Sequence, residues 1–590
     1  MKQDFASQSD FRGGMVSYLS PEQIGDSAYA HGLNGEIRSG RFETRRGATA
    51  CSTFAGRNGS YRGSGVFNFD GDVPGYVAQA LAFSVGNYAE ATGSVFNDTY
   101  IATRNNLELL DPAAHSANLI TIRNAVAGEG FNIRERHRFV QCDTKLFILR
   151  QLASVNLNPL VCDDVYGTNE FTDTTCSRKL AAWAKPASYI ATPGYLPFPK
   201  AFIGLYAYGL LWLAEGNTLC ASDILQPDKF SQANSFSIDG GQGADITALH
   251  MLGSGAIAVF KRNSIHILSG CESAILSTGM SRQVLESAAG AVADEAVCQV
   301  GNDVWYIAPD GIRSLALNEQ NHWRGSSSAL SYPIAPSLLA RWDRRQLHLA
   351  SIAVADDYVL AAAPGVDGDW PVFAYDLTTQ SWAGEWNTQA PLFRLMALDM
   401  GQGHSFQSLS GPTGTAAGIV RLLDGLMADE TPTVSGVFSA PIESTLLTRG
   451  YSSNGGYAKS NPLAAEIRIR HRSPSLSIDL HVDGGRRISV LVAGKSYGIA
   501  ANDYHGKTGW NGVAANYART GNSDLSPVPQ GVLPNAALRL DGTCQHVIRA
   551  PFPAGPCSSF QLQIGNSSGT AAVCDILVKS AVSTFGNRKN

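Results

Sequence analysis

The stretch VGNDVWYIAPDGIRSL, residues 300–315, has the sequence of a short β-hairpin. Four apolar residues, Val304 to Ile307, precede a Pro-Asp-Gly turn, and the chain returns through Ile312 to Leu315. Asp-Gly is among the commonest two-residue hairpin turns. A hairpin alone is barely stable in water, because it buries only part of its apolar surface. The stretch therefore predicts that other structure packs against it.

Similar strand-turn-strand stretches recur along the chain. They start near residues 99, 145, 210, 257, 304, 358 and 406. A sheet unit repeated every 40 to 50 residues is typical of a β-propeller, in which each unit buries its faces against its neighbours. The pattern predicts an all-β fold with a β-propeller of about seven blades, and six or eight blades also fit. The spacing between the copies that start near 145 and 210 is longer than the others, and a polar loop insertion near residues 163–179 would explain it.

Both ends of the chain differ from the repeat. Residues 1–50 are rich in glycine and lack a sustained period, which predicts an extended N-terminal arm that lies along other structure. Residues 51–430 would then hold the propeller. In residues 431–590, AEIRIRHR (465–472) alternates strictly, and FQLQIGNSSGTAAVCDILVKS (560–580) has the pattern of a second hairpin. These strands favour a C-terminal β-sandwich-like domain.

The composition limits the classes of function. The formal net charge of the 590 residues is −5, so no global basic surface attracts nucleic acid. No run of about 18 apolar residues occurs, which predicts no membrane span. The start, MKQDFASQSD, lacks the apolar core of a signal peptide, which indicates folding in a cytoplasm. The ten cysteines form no Cys-x-x-Cys pair, which favours buried reduced thiols over zinc or disulfides.

Several short motifs resemble reactive or ligand-binding sites. Ser567 is at the centre of GNSSG, but a nucleophile elbow needs a following helix, and the next segment has a strand pattern. GSGAIA (253–258) resembles a phosphate-binding loop but also continues into an apolar strand. The acidic turns 69–75, 238–245 and 366–370 could offer oxygens to Ca²⁺, although Asp-Gly is also an ordinary turn pair. We predict no catalytic residue, no cofactor and no metal site.

For some aromatic, histidine and arginine side chains, a functional role has to be weighed against a core or surface position. Trp212 and Trp305 lie within apolar strands, which favours core positions over sugar-binding platforms. His266, between two isoleucines, is predicted to point off the other face of its strand. Three arginines of the N-terminal segment could contact an acidic neighbour or DNA, and a solvated or intersubunit salt-bridged patch is favoured: Arg41, Arg45 and Arg46.

The N-terminal segment contains several short motifs in a fixed order. Asp10-Phe11-Arg12-Gly13-Gly14 is followed by Asn34, Gly40 and Arg45-Arg46-Gly47. This order resembles the β-propeller tail proteins of short-tailed bacteriophages, called tail nozzle, hub or tubular proteins. The family usually has Arg-Pro-Gly where this chain has Arg-Arg-Gly. Three later strings look similar too: VGNDVWYIAPDGIRSL, LSYPIAPSLLARWD (330–343) and FAYDLTTQSWAGEW (373–386).

The resemblance implies a structural virion protein without enzymatic activity. Such proteins are made in the cytoplasm of the host bacterium and form a ring, typically a homohexamer, at the lower end of the tail. The ring extends the DNA channel below the adaptor or connector protein and anchors tail fibres or spikes. Double-stranded DNA would pass through without specific binding during ejection. The slight acidity of the chain fits this, and we expect no continuous basic stripe along the lumen.

An alternative reading is an extracellular carbohydrate-binding or carbohydrate-active propeller protein with an appended sandwich. It predicts a signal peptide, exposed Trp or Tyr side chains at the propeller mouth, and paired carboxylates there. The polar N-terminus favours the bacteriophage reading over this one. Folds alone do not fix function, so the alternative stays open at this point.

Overall fold

The fold is all-β, as predicted, and contains very little helix. The structure, a computed structural model, describes residues 2–53, 59–70, 77–89, 94–103, 118–124, 135–143, 145–152, 155–162, 185–186, 193–239, 244–273, 276–285, 289–317, 323–325, 328–388, 392–399, 404–410, 418–423, 428–433, 436–452, 460–471, 476–491, 546–552, 556–567 and 571–582. The α-helices of these ranges are α1 (Leu276–Gly279) and α2 (Ala335–Arg341). The 3₁₀ turns are Pro21–Gln23, Gln232–Asn234, Asp294–Ala296, Tyr332–Ile334 and Leu347–Leu349.

The N-terminal segment forms short strands that pair with distant parts of the chain. They are β1 (Lys2–Gln8), β2 (Gly14–Met15), β3 (Ala28–Tyr29), β4 (His31–Leu33), β5 (Gly35–Arg38), β6 (Arg41–Thr44) and β7 (Thr49–Thr53). Only β2 with β3 and β5 with β6 pair inside the segment. The segment therefore depends on the rest of the chain for most of its backbone hydrogen bonds.

Five successive four-stranded antiparallel sheets follow, which we call repeat sheets 1 to 5. Sheet 1 has strands β8 (Gly59–Asp70), β9 (Val77–Ala89), β10 (Ser94–Thr103) and β11 (Asn118–Asn124), and sheet 2 has β12 (Glu135–Cys142), β13 (Lys145–Leu152), β14 (Val155–Cys162) and β15 (Lys185–Pro186). Sheet 3 has β16 (Ile203–Ala207), β17 (Leu210–Glu215), β18 (Thr218–Ala221) and β19 (Ser235–Ser237), and sheet 4 has β20 (Ile246–Leu252), β21 (Ala256–Lys261), β22 (Ile265–Ser269) and β23 (Ser281–Leu285). Sheet 5 has β24 (Val297–Val300), β25 (Asp303–Ala308), β26 (Gly311–Leu317) and β27 (Trp323–Gly325). In each sheet the strands pair in chain order, so each unit is a meander.

Two further units complete the series. Repeat sheet 6 comprises β28 (Ser351–Ala355), β29 (Tyr358–Ala362), β30 (Val372–Asp376) and β31 (Ser381–Trp386). Repeat sheet 7 comprises β32 (Leu392–Asp399), β33 (His404–Ser410) and β34 (Gly418–Arg421), with β7 of the N-terminal segment as its fourth strand. A hairpin of β35 (Ala428–Thr433) and β36 (Gly436–Pro441) follows and forms a two-stranded sheet of its own.

The first strands of the repeat sheets contact one another in a closed cycle. Each of β8, β12, β16, β20, β24 and β28 contacts the first strand of the next sheet, and β32 contacts β8 again. The side chains of the opening hairpin explain how neighbouring sheets pack. Tyr306 of β25 packs on Phe260 of sheet 4, with ring centroids 5.3 Å apart. The adjacent Trp305 points to the other face and packs on Tyr375 of sheet 6 at 5.0 Å. The hairpin thus packs between two similar units, as predicted.

The remaining strands form two sheets that share one apolar core with sheets 6 and 7. They are β37 (Ser444–Leu447), β38 (Tyr451–Ser452), β39 (Ser460–His471), β40 (Leu476–Val482), β41 (Arg486–Leu491), β42 (His546–Pro551), β43 (Ser559–Asn566) and β44 (Ala571–Val582). One sheet has the order β42-β39-β44-β6-β5, with β1 also on β44. The other continues repeat sheet 6 through β31-β4-β37-β43-β40-β41. The arm strand β4 therefore joins sheet 6 to the C-terminal strands.

Two details of the predicted strand pattern were wrong. The stretch 560–580 is not a hairpin, because β43 pairs with β37 and β40 whereas β44 pairs with β39, in different sheets. The stretch at 97–103 is the third strand of its sheet, whereas the other copies start in second strands. Alternation identifies a strand with one buried face but does not identify its partner. The predicted return strand at 107–110 and the insertion at 163–179 lie outside the described residues.

Candidate functional site: a buried arginine node in the N-terminal motif

Two motif residues of the N-terminal segment, Asn34 and Arg45, meet Asp429 in one buried cluster, which we call the arginine node. Asn34 connects β4 to β5 with a positive φ of 51°, a conformation that asparagine tolerates better than most residues. Arg45 follows β6, and Asp429 lies in β35. All three side chains are buried. The node therefore joins residues that are almost 400 positions apart.

Two nitrogens of the Arg45 guanidinium donate hydrogen bonds to the Asp429 carboxylate. Its Nη1 lies 2.9 Å from Oδ1 and its Nη2 lies 2.5 Å from Oδ2. The side chains of Arg45 and Asp429 are only 2% and 4% exposed, respectively. Such bidentate, charge-assisted pairs are the strongest side-chain hydrogen bonds and fix the orientation of both planes. The guanidinium also lies over the ring of Trp386, 5.9 Å from its centroid.

The other donors of Arg45 also have defined acceptors. Nε donates to Asn34 Oδ1 at 3.0 Å, Nη1 to the carbonyl of Arg46 at 3.1 Å, and Nη2 to the carbonyl of Asn387 at 3.1 Å. Asp429 accepts a further bond, from the amide of Ala48 at 3.2 Å. The buried charges are thus compensated within the chain, which is the condition for keeping an ion pair out of water.

Asn34 links three elements through its carboxamide. Oδ1 accepts from Arg45 and also from the amide of Asn387 at 2.8 Å, just after β31. Nδ2 donates to the carbonyl of Glu443 at 2.7 Å, just before β37. The backbone amide of Asn34 donates to the carbonyl of Glu385 at 2.8 Å. A change of this residue would therefore disconnect sheet 6, the arm and the C-terminal strands together.

The arginine cluster of the sequence divides into three environments. Arg45 is buried and paired inside its own chain, so the expected solvated or intersubunit patch is wrong for this residue. Arg46 is half-buried, and its Nε lies 3.3 Å from Oε2 of the buried Glu36. Arg41 lies 3.7 Å from Glu43 at the surface. The sequence pattern missed the burial because the partner of Arg45 lies far away in the chain.

The glycine motif serves close packing. Gly14 has a φ of 70°, and a Cβ there would lie 2.7 Å from the carbonyl oxygen of Trp382 in β31. A Cβ on Gly13 would lie 2.9 Å from the carbonyl oxygen of Ser27, to which the amide of Gly13 donates. Phe11 is fully buried beside these glycines. The motif therefore allows the arm to lie directly against sheet 6.

A second charged cluster, the hub cluster, lies among the first strands of the repeat sheets: Arg138, Asp294, Glu295 and Arg394. Arg138 of β12 pairs with Asp294, and its Nη2 lies 3.6 Å from Glu295 Oε1. Arg394 of β32 donates from Nη1 to the same Glu295 oxygen at 2.5 Å. The cluster links sheets 2, 5 and 7 directly. Burial raises the pKa of Asp294, and the nearby Arg138 opposes that rise.

The reactive-looking motifs form ordinary strand connections. Ser567 is exposed after β43, and the next described element is strand β44 rather than a helix. In GSGAIA, residues 253–255 form a turn that leads into strand β21. Trp212 is fully buried and Trp305 nearly so, in agreement with core positions. The described residues of these two motifs contain neither of the helices that a nucleophile elbow and a phosphate-binding loop require.

The predicted acidic turns are engaged by cations of the chain where they are described. Asp367 and Asp369 accept from Arg341, with Oδ2 of each at 3.0 and 2.5 Å. Asp239 pairs with Arg282, and its Oδ2 also lies 2.9 Å from Nε2 of His266. Residues 71–75 of the first turn and 240–243 of the second lie outside the described residues. In the part of the chain that the structure describes, no group of three or more potential ligands could hold a metal ion.

His266 points to the opposite face from the neighbouring isoleucines, as predicted, but that face is buried as well. Burial lowers the pKa of His266; Asp239 opposes this, and the positive charge of Arg282 adds to it. Its Nδ1 is buried and has no hydrogen-bond partner among the described residues. The buried environment therefore favours the neutral form of the imidazole.

The cysteines are buried thiols, as the sequence predicts, at most of the positions that are described. Cys142, Cys220 and Cys271 are buried free thiols, and burial raises the pKa of Cys271 to about 12. Such thiols behave as small apolar side chains.

None of the helices in the described ranges has the length and hydropathy needed to cross a membrane.

Comparisons with known proteins give little further guidance. No protein-family model matches the sequence, and no curated protein matches it. Among solved structures, the chain is similar to the AfRom2 CNH domain, with a TM-score of 0.37 and 11% identity, covering 64% of this chain and 98% of that one. It is also similar to S. cerevisiae Dbp5 bound to Nup159, Gle1, IP6 and ADP, with a TM-score of 0.32 and 11% identity, covering 52% and 77%. At TM-scores below 0.5, neither similarity supports a conclusion about fold or function.

Proposed function

We propose that the seven repeat sheets close into a seven-bladed β-propeller spanning residues 51–430. An arm of residues 1–50 and a β-sandwich-like domain of residues 431–590 would complete the chain. The closed cycle of contacts among the first strands supports this arrangement. So does the pairing of β7 with β34, because a strand from the chain start then completes the last sheet. From sheet 2 to sheet 7, neighbouring sheets also share apolar cores, as a propeller requires.

We further propose that the chain is a structural component of a bacteriophage tail, at the nozzle or hub. The observation that carries this proposal is the arginine node. Two of the residues through which the sequence resembles the tail proteins, Asn34 and Arg45, meet at one buried junction that joins the N-terminal segment, sheet 6 and the C-terminal strands. Their groups are saturated by one another, so they suit holding parts together rather than reacting with a substrate.

The proposed mechanism is mechanical. Several copies, six by the family resemblance, form a ring in the virion tail below the adaptor or connector protein and anchor fibres or spikes. DNA passes between the copies, since the hub cluster occupies the space among the first strands within one copy. The net charge of −5 suits passage without binding, because phosphates are attracted mainly by clustered Lys and Arg.

Mass photometry of the purified chain tests the ring. We expect a species near six times the chain mass of 62.7 kDa, with a central opening in negative-stain images. The same rings should not retain duplex DNA in gel-shift assays at about 0.15 M salt. A chain that stays monomeric at all concentrations and binds glycans would contradict the proposal and favour the extracellular carbohydrate-binding alternative.

A further inference from the structure

Two exposed aromatic side chains meet, and the chain segments that carry them contain no charged residue. Tyr18 of the arm and Tyr332, before α2, have ring centroids 4.8 Å apart and are 42% and 56% exposed. We call this pair the tyrosine patch. It is held in place because the amide of Ser17 donates to the carbonyl of Pro333 at 2.8 Å. The two segments that carry the pair contain no Asp, Glu, Lys, Arg or His: residues 13–21 and 325–340.

The part of the β35–β36 hairpin that follows Glu430 presents a second surface without charged residues. Val437 and Phe438 are adjacent in β36 and therefore point to opposite faces, yet they are 51% and 57% exposed. Both faces of β36 are therefore exposed at these two residues, although two-stranded sheets are marginal in water. Residues 431–442 contain no charged side chain. The base of the hairpin is anchored through Asp429 of the arginine node.

Charge favours a second copy of this chain as the partner of these surfaces. Copies with a net charge of −5 repel each other, and like charges at a contact cost several kcal/mol. Contacts between copies are therefore most favourable through uncharged patches, and interface cores are depleted in charge and enriched in Tyr and Phe. The third exposed apolar pair, Ile224 and Leu225, lies between charged residues Asp223 and Asp228, which makes it less suitable.

We propose that the β35–β36 hairpin of one copy docks on the tyrosine patch of the next copy, head to tail. A closed ring requires two different surfaces on each subunit, because a self-matching surface gives only dimers. The two patches meet this requirement, because they come from different parts of the chain. The hairpin follows repeat sheet 7 in the sequence, and Tyr332 precedes repeat sheet 6. The inference rests on the proposed ring and names the surfaces that close it.

Mixing two variants tests the contact. Tyr332→Asp removes one surface and Phe438→Asp the other, and each variant alone is expected to lose all assembled species in mass photometry. Mixed in equal amounts, they retain one intact pair of surfaces. The mixture should therefore give a dimer of twice 62.7 kDa that does not grow further. Leu225→Asp adds the same charge at a residue that is 70% exposed and should assemble as the unchanged chain does.

Each other outcome is informative. Rings in either single variant, or a mixture that stays monomeric, would overturn this contact and leave the proposed ring intact. Dimers of Phe438→Asp alone would overturn it in favour of a tyrosine-to-tyrosine contact. An unchanged chain that never assembles would overturn the ring itself and this contact with it. Thermal melts of all three variants verify folding, because substitutions at exposed positions change stability by only about 0.5 kcal/mol.

Discussion

Replacement of Arg45 by methionine tests the arginine node most directly. Methionine retains an apolar stem of similar length under Trp386 but removes the charge and all five donors. Asp429, whose side chain is 4% exposed, would keep only the bond from the amide of Ala48. Breaking one side of a buried ion pair costs about 3–5 kcal/mol, because the other charge stays buried without compensation. We expect Arg45→Met to lower the free energy of unfolding by about 4 kcal/mol.

A second substitution separates the buried charge from lost packing. In the double variant Arg45→Met/Asp429→Leu no charge is left in the node, and apolar replacements of buried ion pairs are often neutral or stabilising. We therefore expect the double variant to recover at least about 2 kcal/mol relative to Arg45→Met. Urea unfolding monitored by tryptophan fluorescence measures both changes, and hydrogen exchange at the amides of Ala48 and Ala50 reports opening at the node itself.

Arg468→Met is the matched control. Arg468 is also an arginine beside a sheet, but its side chain is 58% exposed and its Nη1 lies 3.4 Å from Asp575 Oδ2. Exposed pairs of this kind contribute at most about 1 kcal/mol. The reasoning fails if Arg45→Met costs no more than the control, or if Asp429→Leu brings no recovery in the Arg45→Met background.

Three further results follow from other parts of the fold. Gly14→Ala should be less stable than Gly194→Ala by at least about 1 kcal/mol in thermal melts, because both glycines have positive φ but only Gly14 also lacks space for a Cβ. Glu295→Gln should lower the free energy of unfolding by about 2 kcal/mol in urea, because both arginines of the hub cluster lose a charged acceptor. The free energy of unfolding should also fall as the pH drops below 6.5, the ordinary pKa of histidine. Burial holds the pKa of His266 lower in the folded state, so the unfolded chain takes up the proton first, and His266→Gln should flatten this dependence in urea titrations.

Local sequence patterns identified the repeating strands well. In the predicted copies that start near 210 and 257, Gly216-Asn217 and Arg262-Asn263 connect β17 to β18 and β21 to β22, which pair as hairpins. The Asp-Gly turn of the opening hairpin connects β25 to β26 in the same way. These predictions succeeded because a hairpin is specified by nearby residues: turn chemistry fixes the loop, and alternation fixes the buried faces.

Strand partners that are far apart in the sequence could not be predicted. β4 is only three residues long and has no strong alternation, yet it joins β31 to β37. Its position depends on pairing with strands more than 350 residues away, to which local patterns are insensitive. The strand β44 was recognised, but its neighbours β39, β1 and β6 come from both ends of the chain. Tertiary pairing therefore decides the architecture of the C-terminal sheets.

The burial of Arg45 shows why charged residues mislead a reading from sequence. Arginine is usually exposed, so a group of three suggests a solvated patch. What distinguishes Arg45 is a distant partner, Asp429, in the first strand of the β35–β36 hairpin. Since an apolar pair could be at least as stable, the ion pair is better explained by specificity: its two planes accept only one relative orientation. On this hypothesis it fixes where the arm enters sheet 7 and where the β35–β36 hairpin leaves it. The Asp429→Leu/Arg45→Met variant should then stay folded, yet lose the uniform orientation of that hairpin that a closed ring needs.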